Sequence, residues 1–329
     1  MSKYYWFLEH EQFQPEVLVD HARLAEEYGF DGLLVSEHFH PWVDDVGAGG
    51  FAFATLGAIA AVTSKIELMT AVTTPLWRYH PAVVAQAAAT IDRLSHGRFS
   101  LGVGTGENIN EGSLGYVFPA YSERAARMRE ALEIMRRLLD GEKLSYHGTY
   151  YQTKAAKLYS PPHHSIPIYL AAGGPKSAAL AGELAEGVIV SVKDNAEALA
   201  KVLAPAAAAA AENNRSAPLV ATTHWTVRGS SDEEAWEALK PWRGLRAPNR
   251  LKAVDPAELA AEADGIDRHE ILSRYTRVQT AADYAGAYGG IVKDLSPDIV
   301  GIQTTSVRQE ETIKMVGKDV LPKLRAMSK

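Results

Sequence analysis

One unit repeats along nearly the whole sequence: a short apolar run, polar or glycine residues where it stops, then a helical stretch. Residues 4–8, 33–35, 66–72, 99–103, 166–171, 187–190, 219–227 and 299–303 are the apolar runs. Short runs of this kind predict strands buried on both faces. Between them, Pro15 opens a helical pattern that Gly29 closes, and Pro81 opens another over 81–94. Further helices are expected over 51–63, 121–139, 177–184, 195–212, 232–239 and 310–324. Strands that alternate with helices about eight times predict a parallel sheet, and at this length a (β/α)8 TIM barrel. A single domain over residues 1–329 is expected, since no shift in composition marks a linker. A doubly wound sheet is the competing architecture. It predicts one glycine-rich fingerprint after the first strand, which the sequence lacks.

The ends of the runs carry the chemistry. Residues 33–35 stop at Ser36, Glu37, His38, His40 and Trp42, residues 66–72 at Thr73, Thr74 and Pro75, and residues 99–103 at Gly104-Thr105-Gly106-Glu107. Later runs stop at Ala172-Gly173-Gly174-Pro175 and at Ser191 and Lys193. In a barrel these carboxyl ends share one rim, so residues remote in sequence meet in one site. Two stretches break the pattern. Residues 141–159 read as a hairpin with Gly148 at its turn, and 242–267 as a less regular insertion with Arg243, Arg246, Arg250 and Lys252.

Composition narrows the chemistry. The absence of cysteine excludes thiol catalysis, disulfides, Cys-ligated zinc and iron–sulfur clusters. A net charge of −6 without a basic tract argues against nucleic acid and membrane as partners and leaves a small-molecule substrate. With no leader-like N-terminus and no apolar stretch of about 18 residues, a soluble cytoplasmic protein is expected. His38 and His40 have the His-x-His spacing of a barrel metal pair, but His80, His147, His163 and His164 fall after helices or in loops, so no metal is expected. A serine nucleophile would need a Gly-x-Ser-x-Gly elbow, which is lacking. Gly104-Thr105-Gly106 alone is a weak dinucleotide signal. Gly173 and Gly174, ahead of Lys176 and Ser177, are a better one, because glycines at a strand-to-helix junction let backbone N–H groups face a phosphate.

Ser36–Trp42, Thr74–Pro81, Gly102–Glu111 and Ala171–Pro175 together resemble, in order, the motifs of the bacterial luciferase-like superfamily. Within it they are most similar to the deazaflavin branch, near the actinobacterial glucose-6-phosphate dehydrogenases that use coenzyme F420. The resemblance implies a TIM barrel with insertions, a homodimer, and F420 at the rim with its phosphate and glutamates running outward. FMN, with monooxygenase chemistry, is the alternative cofactor. Coenzyme-binding positions are matched by Glu37, Thr74, Thr105, Gly106, Asn110, Gly173, Gly174, Lys176 and Ser177. Glu37 stands where the family has Asp. A non-proline cis peptide is implied at Ala71–Val72. Catalytic positions are matched by His38, Glu107 and Trp42, with Glu11 an acidic neighbour. The family grips a sugar phosphate with two lysines and an arginine. Arg274 matches the arginine, Lys193 one lysine through a shifted register, and the other falls at Asn249, beside Arg250 and Lys252. With Ser191 these form the expected substrate side, and the incomplete clamp keeps an uncharged alcohol or carbonyl compound as the alternative substrate. The implied chemistry is hydride transfer from an alcohol or hemiacetal carbon. His38 is expected to be the base, Glu107 the second proton-handling group, and Trp42 the cover over the substrate.

Overall fold

A computed structural model describes residues 1–327. The strands are β1 (Lys3–Leu8), β2 (Gly32–Val35), β3 (Glu67–Thr70), β4 (Phe99–Val103), β5 (Ile168–Ala171), β6 (Gly187–Ser191), β7 (Leu219–Arg228), β8 (Thr276–Val278) and β9 (Ile299–Thr305). The first helices are α1 (Pro15–Glu27), α2 (Ala52–Val62), α3 (Pro81–Leu94), α4 (Asn108–Glu111), α5 (Tyr121–Leu139) and α6 (Pro175–Leu184). Next, α7 (Asn195–Ala198) and α8 (Ala204–Glu212) are joined by a π-helical turn, followed by α9 (Asp232–Leu239), α10 (Pro256–Asp264) and α11 (Arg268–Leu272). After β8 come α12 (Ala281–Leu295), α13 (Gln309–Met315) and α14 (Leu321–Met327).

All strand pairs are parallel, and β1 to β7 with β9 close a barrel: β9 pairs with both β1 and β7. The short β8 stands outside this ring and, among the described residues, pairs only with the far end of β7, from Thr226–Thr276 onward. β7 is long enough to do both, since its first half pairs with β6 and its last residues with β8. Side-chain alternation sorts the core into layers. Tyr5 and Phe7 of β1 meet Leu34, Met69, Tyr169 and Ile189 inside the barrel. Tyr4, Trp6 and Leu8 face the helices instead. This double burial is why the strands read as unbroken apolar runs.

The expected hairpin forms, bridged at Leu144–Ala156 and His147–Gln152. Differences lie at element ends. β3 stops at Thr70 and the Ala71–Val72 peptide that follows is cis, as the resemblance implied. α6 begins at Pro175, whose fixed φ suits the first helical turn. The insertion after β7 is more regular than its sequence suggests: a 3₁₀ segment (Lys240–Arg246), then α10 and α11. It has its own core of Trp236, Trp242, Leu259, Ile271 and Tyr275, which takes in Trp42 and Ile109 from the barrel rim. Among the described residues no helix is long and apolar enough to cross a membrane.

Candidate active site

The carboxyl ends of the strands open on a cleft of about 450 Å3. Its lining brings together Glu11, Ser36, Glu37, His38, Trp42, Ala71, Val72, Thr74, Thr105, Gly106, Glu107, Asn110, Gly173 and Ser191, all expected from the sequence except Ser36, which was not assigned a role.

His38 is the centre. Its Nδ1 lies 3.0 Å from the His40 carbonyl, so an N–H there donates to it and turns Nε2 to the cleft. Nε2 lies 3.3 Å from Glu107 Oε2 and 3.6 Å from Glu11 Oε1. Burial disfavours the imidazolium, but Glu11 and Glu107 outweigh it and raise the pKa to about 9. At neutral pH the ring is therefore charged. For this ring to act as a base, its proton would first have to pass to a carboxylate. Glu107 is the solvent-facing member, with 42% of its side chain exposed against 5% for Glu11. Ser36 Oγ donates to Glu11 at 2.5 Å and fixes it. Trp42 is buried, its ring 5.1 Å from that of His38.

Glu37 is held by donors of the chain itself. Arg78 reaches its two oxygens at 2.7 and 3.1 Å, and the hydroxyls of Thr73 and Tyr79 add bonds at 3.0 and 3.2 Å. The same guanidinium binds Glu111 through Nε at 3.2 Å. Glu111 is fully buried; desolvation, partly countered by Arg78, lifts its pKa to about 7. Arg78 and Glu111 had no role assigned from sequence, although both stand in the quoted motifs. Asn110 Oδ1 accepts from the N–H groups of Phe39 and His40 at 2.9 and 3.2 Å and clamps the loop that carries His38.

Thr105, Gly173, Gly174, Lys176 and Ser177 line a second hollow of about 550 Å3 that adjoins the cleft. A Cβ added at Gly173 or Gly174 would meet no atom within 4 Å. Neither glycine has a positive φ. Protein packing therefore does not require glycine here, and the open space lies against backbone N–H groups at the start of α6. This suits a phosphate-bearing group. Ser177 Oγ meanwhile accepts from both glycine N–H groups, at 3.2 and 3.3 Å.

On the opposite side the insertion forms a wall. Trp42, Trp225, Trp242 and Leu245 line the cleft together with Thr223 and Gln303. A Cβ at Gly244 would collide with the Trp42 carbonyl, so only glycine lets the insertion sit this close. Behind Leu245 lies a cavity of about 220 Å3 lined by Arg246, Arg250 and Arg274, with Glu270 paired to Arg274 at 3.1 Å. Lys193 and Lys252, both exposed, line neither this cavity nor the cleft. Arg246 takes the third place around the cavity. Its signal was its position in the arginine-bearing insertion.

The family model for luciferase-like monooxygenases matches residues 4–304. The chain belongs to the luciferase-like family. This luciferase-like chain is 38% identical over 325 residues to the F420-dependent glucose-6-phosphate dehydrogenase of Nocardia farcinica, covering 97% of the chain and 96% of the relative. It is 36% identical over 320 residues to the protein of that name from Microbacterium testaceum, covering 96% and 95%. Among solved structures it resembles an F420-dependent secondary alcohol dehydrogenase in complex with an F420–acetone adduct. There the TM-score is 0.90 at 28% identity, with 98% of this chain and 99% of the other covered.

Proposed function

We propose that this luciferase-like protein is an F420-dependent dehydrogenase that oxidises a phosphorylated sugar at a CH–OH carbon. The observation that carries the substrate is the arginine cavity behind Leu245, where Arg246, Arg250 and Arg274 face a space of about 220 Å3 beside the catalytic cleft. Several guanidinium groups around one polar cavity suit a phosphate dianion, each through charge-assisted hydrogen bonds. The names of the relatives from Nocardia and Microbacterium support the coenzyme and the sugar phosphate alike.

Ala71, Val72, Thr74, Gly106 and Gly173 would hold the deazaflavin, and Lys176 with the start of α6 its phosphate. When bound, F420 supplies the acceptor for a hydride. The chain manages the proton. His38 first passes its Nε2 proton across 3.3 Å to Glu107, where solvent can take it. The neutral imidazole then accepts the proton of the substrate hydroxyl as the hydride leaves the same carbon. Glu11 stays behind the ring as its second carboxylate, and Trp42 excludes water.

F420 reduction, followed by the loss of its visible absorbance, tests this reading. Sugar 6-phosphates should be preferred over the free sugars. Arg250→Gln or Arg274→Gln should each raise KM roughly 10- to 100-fold, the loss of one charge-assisted bond. Unchanged KM values in both variants would remove phosphate as the recognised group. A second reading has its own support: the tryptophans facing the cleft suit the apolar substituents of an uncharged secondary alcohol. Faster turnover of simple alcohols than of any sugar phosphate would favour it.

A further inference from the structure

Glu9 follows β1 directly, is 1% exposed, and has no place in the mechanism above. Neither carboxyl oxygen makes a well-formed hydrogen bond. The groups that face it are Glu11 on its own loop, Tyr288 from α12 and Gln303 from β9. Glu11 repels a negative charge there. Tyr288 cannot offset one, because its hydroxyl lies 2.7 Å from the His224 carbonyl and 3.1 Å from that of Gln303. An ionised carboxylate so placed would be desolvated without a compensating cation, whereas a protonated one costs far less. Gln303 lines the catalytic cleft, and its amide offers Glu9 both a donor and an acceptor, whereas the Tyr288 hydroxyl has its proton engaged by backbone carbonyls.

We propose that Glu9 is a positioning residue that works as a neutral carboxylic acid, pairing with the Gln303 amide and so fixing how that amide faces the substrate. A neutral acid can donate O–H to the amide oxygen and accept from its NH2. A carboxylate can only accept, and would leave the amide oxygen without a donor.

The test uses Glu9→Gln, which keeps a donor and an acceptor but cannot ionise, and Glu9→Leu, which keeps the volume alone. Glu9→Gln should retain kcat/KM, whereas Glu9→Leu should lose roughly tenfold, about one hydrogen bond. In the infrared, the wild type should show a protonated-carboxyl band that Glu9→Gln removes. Stability supplies a further readout. A carboxyl held neutral in the fold but ionised in the unfolded chain stabilises fully below the ordinary carboxylate range, and that contribution is lost as pH rises. The Tm of the wild type should therefore fall relative to Glu9→Gln as pH is raised from 5 to 8. A loss of activity in Glu9→Gln equal to that in Glu9→Leu would overturn the proposal. So would a Tm difference that does not change with pH, or the absence of the infrared band. The infrared and Tm readouts need no substrate, so they stand even if the sugar-phosphate reading fails.

Discussion

At the scale of single residues, the site works through charges that would be costly apart. His38 should titrate near pH 9 by NMR, and Glu107→Gln should lower that value by removing one of its two carboxylates. Because its folded pKa lies above the ordinary histidine value, the stability it contributes is fully present below about pH 6.5 and is lost as pH rises through about 9. Arg78 presents the opposite hazard. Arg78→Met would strand Glu37 and Glu111 as buried carboxylates and should cost about 3–5 kcal/mol in denaturant titrations. Lower pH should restore part of the loss, since protonation removes the uncompensated charge. The sequence displayed Glu37, His38 and Trp42 because they crowd behind one apolar run. It did not display the Arg78–Glu37–Glu111 unit, whose members lie 41 and 33 residues apart and pair only once β2, β3 and β4 are adjacent. Glu9 was missed for another reason: a lone acidic residue past a strand reads as solvated, and only the packing of β9 and α12 shows that it is buried.

At the scale of elements, the start of α6 offers a clean separation of folding from binding. The Cβ of Gly174→Ala meets no atom, so the unfolding free energy should stay within about 1 kcal/mol of the wild type and Tm should barely move. F420 affinity, followed by fluorescence, should fall, because the added methyl occupies the space beside the backbone N–H groups. Equal losses of Tm and affinity would mean that these glycines serve the turn. Most elements were legible from apolar period and from Pro and Gly at their ends, as at Pro15 and Pro81. The insertion was not. Its helices α10 and α11 are short, and their apolar residues share a core with Trp42, Ile109 and the last part of β7 (Trp225 and Val227), so no single face dominates.

At the scale of the whole molecule, the insertion is tied down by Arg243, which binds Asp45 in the loop after β2 and Asp264 at the end of α10. Arg243 is itself buried, while both aspartates are half exposed, which limits the strength of the pairs. Arg243→Ala should lower stability by about 1–3 kcal/mol in a denaturant titration. It should raise KM for the substrate while leaving the affinity for F420 little changed, because Trp242 and Leu245 ride on the insertion while the coenzyme positions do not. The barrel itself was legible in the alternation of strands and helices. The placement of β8 outside the ring was not, since a three-residue strand carries no periodic signal and pairs with the overhanging end of β7.

That division of labour makes the stretch between β7 and β8 an exchangeable part. The residues that would hold the coenzyme and pass the proton belong to the segments after β1 to β5, whereas those nearest the arginine cavity arrive between residues 245 and 274. Transplanting residues 240–275 from a relative of different appetite should therefore alter what is oxidised while the redox partner stays the same. The graft would have to bring a glycine at position 244, or it could not close over Trp42.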